Sequence, residues 1–141
     1  MSIAKKLLNP GSTTLWQSVG TLGLRVAGGW LMLYLHGWGK YTNFSERSAR
    51  FPDPLGVTPD VSMALTIFAE LGCAALLLVG LLTRWSAFVC GFTMLIAAFV
   101  VHGDDPLKKQ EMALLYLSIY GALACWGGGR FSLDAKLFRG E

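Results

Sequence analysis

Four long apolar runs, separated by polar segments, dominate the pattern of hydrophobic and polar positions along this chain. They cover about residues 16–38, 61–82, 85–103 and 109–126. Each run approaches the ~20 residues that a helix needs to cross a ~30 Å hydrocarbon layer at ~1.5 Å per residue. The pattern therefore predicts an all-α membrane protein, an antiparallel four-helix transmembrane bundle that forms a single domain over residues 1–141.

The segments between the runs differ in length and character. Residues 40–60 form a polar, proline-containing loop, whereas only a turn at Thr83 and Arg84 separates the second run from the third. A connection this short makes the second and third helices antiparallel neighbours, and we assign Arg84 a structural role in it. Three consecutive glycines end the fourth helix, and residues 127–141 are predicted to form an amphipathic tail.

The composition supports a membrane protein. Hydrophobic residues make up 53% of the chain and charged residues 15%, whereas soluble domains carry about 25% charged residues. The basic residues are scattered between apolar runs, which excludes a nucleic-acid partner and indicates the lipid bilayer instead. Cys73, Cys90 and Cys125 form no CxxC pair, which argues against a disulfide framework or a zinc ribbon.

The distribution of basic residues predicts the orientation. An even number of spans places both termini and the Thr83–Arg84 turn on one side of the membrane. Cytoplasmic segments carry the excess of Lys and Arg, and that side has the larger number, so the termini are predicted to be cytoplasmic. The basic residues on the two sides are Lys5, Lys6, Arg84, Arg130, Lys136 and Arg139 against Lys40, Arg47, Arg50, Lys108 and Lys109.

A few ionisable residues interrupt the apolar runs. Arg25 lies in the first run, Glu70 in the second and Glu111 near the start of the fourth, while His36 and His102 lie near the ends of the first and third. Ionisable side chains are costly in lipid, usually face the interior of a bundle, and mark functional sites. Because the first and third helices run in the same direction, the two histidines are predicted at the same membrane face.

Helix geometry predicts how these side chains pair. Glu70 lies about 15 Å below Asp60 along its helix, which is close to the depth expected for Arg25. We therefore predict an Arg25–Glu70 ion pair, either as part of a functional site or as a structural pair that fixes the helix register. His36 and His102 are either site residues or interfacial histidines in contact with headgroup water.

Two further interpretations concern Glu111 and metals. Glu111 could serve the site, or it could stabilise the first turn of its helix through the helix dipole. His36, His102 and Glu111 are of the types that bind metals, but no HxxxH or ExxH spacing supports a metal site, and we predict none. The sequence also contains no haem, flavin or iron–sulfur motif, so no intrinsic cofactor is predicted.

Several short motifs follow one another in a characteristic order. They are Leu24-Arg25-Val26, His36-Gly37-Trp38-Gly39-Lys40, Glu70 before Gly72, Gly80-Leu81-Leu82-Thr83-Arg84, and Gly127-Gly128-Gly129-Arg130-Phe131-Ser132-Leu133-Asp134. Over about residues 17–137 this order resembles the DoxX family of small bacterial four-span membrane proteins. By position, the family's recurrent polar residues would be Arg25, His36, Lys40, Glu70, Glu111 and Asp134, with Asp134 in a structural role.

The resemblance implies a multi-pass protein of the bacterial inner membrane, associated with respiratory or with thiol and sulfur redox chemistry. The subunit that gives the family its name is associated with a terminal quinol oxidase and with a thiosulfate:quinone oxidoreductase. The chain has no cysteine pair near a membrane face, which argues against thiol exchange by this member.

Two functions remain open from the sequence. In the first, the protein is a membrane subunit that binds a quinone or a similar small apolar ligand in a polar cluster facing the 40–60 loop. Electrons would come from a partner subunit, so the chain is at most part of an oxidoreductase. The alternative is a non-enzymatic scaffold, an assembly factor, or a small-solute or ion carrier, with a homo-oligomer as one form. In the first function Glu70 and Glu111 carry protons, and the ligand-binding residues are Arg25, His36, Lys40 and His102.

Overall fold

The computed structural model describes residues 13–138, and this part of the chain is helical without any strand. Four long helices account for most of it: residues 15–42, Pro59–Val79, Thr83–Val101 and Leu107–Trp126. The all-α prediction is confirmed. The second and third long helices, of 21 and 19 residues, are long and apolar enough to cross a membrane.

The first long helix extends further than the sequence predicts. It begins with a capping box in which Thr14 Oγ1 accepts from the Gln17 N–H, and Gln17 Oε1 accepts from the Thr14 N–H. It continues without a break through Lys40 to Thr42. The segment predicted as a loop therefore starts with helical residues, because nothing before Pro52 forces the backbone out of the helix.

Two short helices continue the chain after the first long helix, Phe44–Arg47 and Ser48–Arg50. The last structured element is the helix Leu133–Phe138, which falls in the predicted tail. Lys5, Lys6 and Arg139, which entered the predicted orientation, lie outside the described residues. The cytoplasmic orientation of the termini stays a prediction.

The turn between the second and third long helices is stabilised by the C-terminal segment. Gly80 and Leu82 both adopt positive φ angles, 72° and 49°, which end one helix sharply before the next begins. The carboxylate of Asp134 accepts hydrogen bonds from the N–H groups of Leu82 and Thr83, at 2.7 and 2.8 Å. Asp134 thus caps the start of the third helix and ties the tail to the turn.

The long helices pack as two pairs. The first long helix packs along the second, and the third packs along the fourth. Near the Gly80 turn, the second and third helices also pack together around a buried core that includes Leu77, Cys90, Tyr120 and Leu123. Toward the 40–60 loop the two pairs separate and leave a cavity between them.

Three of the four long helices contain a π-helical segment. These segments are Met32–Gly37, Phe68–Cys73 and Ala97–Val101, and each contributes residues to the wall of the cavity. π-helical turns are rare and occur mainly at functional sites. Their presence in three neighbouring helices at one cavity marks this region as the candidate site.

The loop that roofs this cavity is held by Asp53. Its carboxylate accepts from the Ser62 hydroxyl at 2.6 Å and from the N–H groups of Val57 and Thr58 at 3.0 and 2.9 Å. Thr58 has a φ of 112°, a conformation that L-residues rarely adopt. The three hydrogen bonds fix the chain at this strained position, where the second long helix begins.

We expect the loop to loosen in acid. The Ser62 hydrogen bond, followed by those from Thr58 and Val57, lowers the pKa of Asp53, although partial desolvation opposes this. Because the folded-state pKa lies below the unfolded value of about 3.9, the stabilisation is present above that pH and is lost as the pH falls through the folded-state pKa. Limited proteolysis of the 51–58 segment between pH 6 and pH 3 measures this loss. Asp53→Asn should cleave faster at pH 6 and show a weaker pH dependence, and equal pH profiles for the two proteins would contradict the prediction.

Candidate functional site

The cavity between the helix pairs has a volume of about 580 Å³ and mostly apolar walls. Its roof is formed by the loop residues Phe51, Pro52, Pro54 and Leu55. A small number of polar side chains reach it from the four long helices, as is typical of pockets for small organic ligands. These are His36, Lys40, Glu70, His102, Lys109 and Tyr116, together with the hydroxyls of Ser62, Thr66 and Thr93.

A Lys40–Glu70 ion pair lies in the wall of the cavity. Nζ of Lys40 is 2.5 Å from Oε2 of Glu70, and the two side chains are 22% and 6% exposed. The pair joins the first and second long helices at a close approach, where the backbone of Gly37 lies directly against that of Glu70. A Cβ at Gly37 would come within 2.7 Å of the Glu70 carbonyl oxygen, so glycine is required for this approach.

The predicted Arg25–Glu70 ion pair is wrong. Arg25 is 1% exposed and donates to four backbone carbonyls at the opposite end of the molecule, far from the cavity. Its guanidinium reaches Leu77 and Leu78 at 2.9 Å, and Gly128 and Phe131 at 3.0 Å. It therefore ties the end of the second long helix to the segment after the fourth.

The register of the first two helices explains this correction. Gly37 lies against Glu70, and Arg25 is twelve residues earlier, about 18 Å along its helix, which places it beside the end of the second helix. Lys40 lies three residues beyond Gly37, and its side chain leans back toward the helix N-terminus to meet Glu70. The carbonyls at a helix C-terminus lack intrahelical partners and attract cations, which explains why Arg25 is stable there without a direct carboxylate partner.

His36 and His102 both line the cavity, as the sequence predicts for a shared site. His36 is half-buried, and its ring contacts Tyr116 edge-on, with 5.7 Å between ring centroids. His102 lies at the outer rim, where its Nδ1 is 2.8 Å from Oδ2 of Asp105. The hydrogen bonds from His102 and Lys109 lower the pKa of Asp105, so this carboxylate stays charged at neutral pH.

Tyr116 is a cavity residue that the sequence prediction missed. It is buried on the fourth long helix, and its ring stacks with that of Tyr120 at 5.9 Å. The Tyr120 hydroxyl in turn donates to the Gly28 carbonyl at 3.0 Å. The signal that could have found Tyr116 was a pair of tyrosines one helical turn apart within an apolar run.

Glu111 lies outside the cavity, which corrects its predicted place in the cluster. It is exposed on the outer surface of the fourth helix, in a shallow groove with Lys108 and Ser118. Glu111 and Tyr116 are five residues apart, which turns them about 140° away from each other around the helix. The face that repeats every seven residues, with Glu111, Ser118 and Cys125, therefore points outward.

Arg84, for which the sequence predicts a structural role, lies away from the cavity. The Arg84 side chain lies against Gly127, where an added Cβ would come within 3.2 Å of its Nε. Among residues 13–138, no three His, Cys, Asp or Glu side chains lie close enough to hold a metal ion together.

Comparison with known proteins places the chain in a family. The DoxX family model matches residues 20–103, which include His36, Lys40, Glu70 and His102. The chain belongs to the DoxX family. The predicted resemblance and the predicted membrane class are thereby confirmed. Tyr116, Glu111 and Asp134 lie beyond the matched part of this DoxX protein.

Two relatives are similar over most of their length. The inner membrane protein YqjF of Escherichia coli K12 is 34% identical over 106 residues, which cover 72% of this chain and 79% of YqjF. An uncharacterised protein of Haemophilus influenzae is 30% identical over 108 residues, which cover 73% of this chain and 72% of the relative. No solved structure matches the chain significantly.

Proposed function

We propose that this DoxX protein crosses the bacterial inner membrane as an antiparallel bundle of its four long helices and binds a quinone or a similar ring-shaped apolar molecule in the cavity. The inner-membrane location of YqjF supports the membrane part of the proposal. The two helices that are long and apolar enough to span a membrane also support this part. Electrons would come from a redox partner subunit, since the proposal gives this chain a binding role.

The observation that carries the proposal is the Lys40–Glu70 ion pair beside His36 in a cavity whose other walls are mostly apolar. Two charged groups in an apolar environment are costly to maintain for stability alone. A ligand with polar atoms at one end and an apolar ring would use both parts of the cavity. A volume of about 580 Å³ suits a molecule of that size.

The polar groups match the chemistry of a quinone. The Lys40 ammonium and an N–H of His36 can donate to a quinone carbonyl, and the Glu70 carboxylate can accept from the hydroxyl of a quinol. Glu70 is then the candidate proton carrier, and Glu111 is left out of this role because it lies outside the cavity. Arg25, 1% exposed at the other end of the molecule, has a structural role instead of a ligand-binding one.

Equilibrium binding of a radiolabelled short-chain ubiquinone analogue to the protein in nanodiscs tests this function. We expect saturable binding, weakened at least about tenfold by Glu70→Gln, which corresponds to about 1.4 kcal/mol. Glu111→Gln is the matched control, because it makes the same change on the outer surface and should leave affinity unchanged. Non-saturable uptake by the wild-type protein, or equal effects of the two substitutions, would overturn the proposal.

The alternative of a solute or ion carrier has less support in the geometry. Beneath the cavity, the core between the helices is filled by fully buried side chains such as Met32, Leu77 and Tyr120. The Arg25 hydrogen bonds close the end of the molecule below them. Flux assays in liposomes, together with the oligomeric state in mild detergent, distinguish a carrier or scaffold from a ligand-binding subunit.

A further inference from the structure

The cavity has an opening on its side, beneath the loop that roofs it. A residue that lines the cavity and is also exposed on the outer surface marks the rim of an opening. Leu65 and Phe68 on the second long helix and Phe88 and Phe92 on the third meet this condition along the side of the cavity, whereas Leu55, Val101 and Met112 meet it at the end near the loop. The opening therefore lies between these two helices, and we call it the lateral window.

The lateral window has definite limits. At its lower end, the rings of Phe68 and Trp85 meet edge-on with 6.1 Å between centroids, and Cys90 Sγ donates to the Ala69 carbonyl at 3.3 Å. These contacts hold the second and third helices together at this end of the window. At its upper end, the window is covered by the loop around Phe51 that Asp53 holds in place.

The chemistry of the window differs from that of the inner end of the cavity. Its rim is formed by leucine and phenylalanine side chains of the two helices that are long and apolar enough to span a membrane. In a bilayer, this rim would face hydrocarbon. The Lys40–Glu70 pair lies on the inner side, where the second helix meets the first. One cavity thus combines a polar inner end with an apolar exit toward lipid.

We infer that the ligand is a long-tailed lipid of the isoprenoid-quinone type that enters sideways from the bilayer through the lateral window. This inference rests on the proposed function and specifies its ligand class and route. The polar ring contacts Lys40, Glu70 and His36, while the hydrocarbon tail lies between Phe68 and Phe88 and extends into the surrounding lipid. A tail in this position avoids both water and the filled core below.

Photocrosslinking with a tail-labelled ligand tests the route. The probe is a ubiquinone ring with a ten-carbon chain and a terminal alkyne tag, and the protein carries benzoylphenylalanine at Phe88 in nanodiscs. Benzoylphenylalanine at Phe99 is the matched control. Phe99 is on the same helix and is 59% exposed, against 66% for Phe88, but it does not line the cavity.

We expect at least fivefold more tagged product at Phe88 than at Phe99. Excess untagged ligand should suppress the product at Phe88 but not at Phe99. Since both positions are exposed, neither replacement fills the core, and Phe92 provides a second window position.

The outcomes separate this inference from the proposed function. Saturable binding of the probe with equal, uncompeted crosslinking at Phe88, Phe92 and Phe99 would overturn the lateral route and leave quinone binding standing. Absence of saturable binding in the same nanodiscs would overturn both. Competed crosslinking at both window positions, with little at Phe99, would support both.

Discussion

Replacing Arg25 with methionine is expected to destabilise the protein by about 3 kcal/mol or more. Hydrogen bonds to a charged donor contribute about 1.5–3 kcal/mol each, and the substitution would leave the buried carbonyl acceptors without partners. Arg25 donates to carbonyls in two separate segments, at Leu77 and Leu78 and at Gly128 and Phe131. The loss should release the C-terminal segment from the end of the second helix. Reversible unfolding in mixed micelles measures the free energy, and the amount of protein recovered from membranes gives a second readout.

Two variants control this experiment. Arg47→Met removes an exposed arginine and should change stability by less than about 0.5 kcal/mol. Arg25→Lys keeps the charge but cannot reach both segments with one ammonium group, so an intermediate loss is expected. If Arg25→Met were as stable as Arg47→Met, the structural role assigned to Arg25 would be wrong.

Breaking the Lys40–Glu70 pair should have the second large effect, and the two single substitutions should differ. Lys40→Met leaves the carboxylate of Glu70, 6% exposed, without a partner, and we expect a loss of about 3 kcal/mol. Glu70→Gln leaves Lys40, which is 22% exposed and can turn its ammonium group toward water, so a loss of about 1 kcal/mol is expected. Unfolding free energies in mixed micelles measure both.

The double substitution Lys40→Met with Glu70→Gln tests whether the pair acts as one unit. It should recover about 2 kcal/mol relative to the sum of the single losses, because no unpaired charge remains. Purely additive losses would show that the two side chains do not interact in the membrane. The same cycle with Lys109 and Glu111, exposed residues of the fourth helix, should be additive.

The helical segments were predictable from the sequence because apolar length is read directly from the chain. The short turn before Thr83 and the place of His36 and His102 at one cavity followed from the same pattern. The pairing of charges was not predictable in this way. A count of residues places Arg25 and Glu70 along their own helices, but the contacts between the helices, such as that of Gly37 with Glu70, decide which residues face each other.

Other features of the site left no signal in the hydrophobic pattern. Lys40 was assigned to the edge of a polar loop, although the helix continues past it because helix propagation needs no apolar residue there. Glu111 was placed inside because ionisable residues in apolar runs usually face inward. In this chain it follows a first helical turn that is already polar, and it remains on the outer surface with Lys108.

The π-helical turn at Met32–Gly37 has a consequence for how this protein tolerates change. One additional residue in a helical turn rotates everything beyond it by about 100° relative to an uninterrupted α-helix. Lys40 therefore owes its direction toward Glu70 to the backbone upstream of it as much as to its own identity. A homologue that lost a single residue from this turn could retain every polar side chain of the cavity and still present its lysine to lipid.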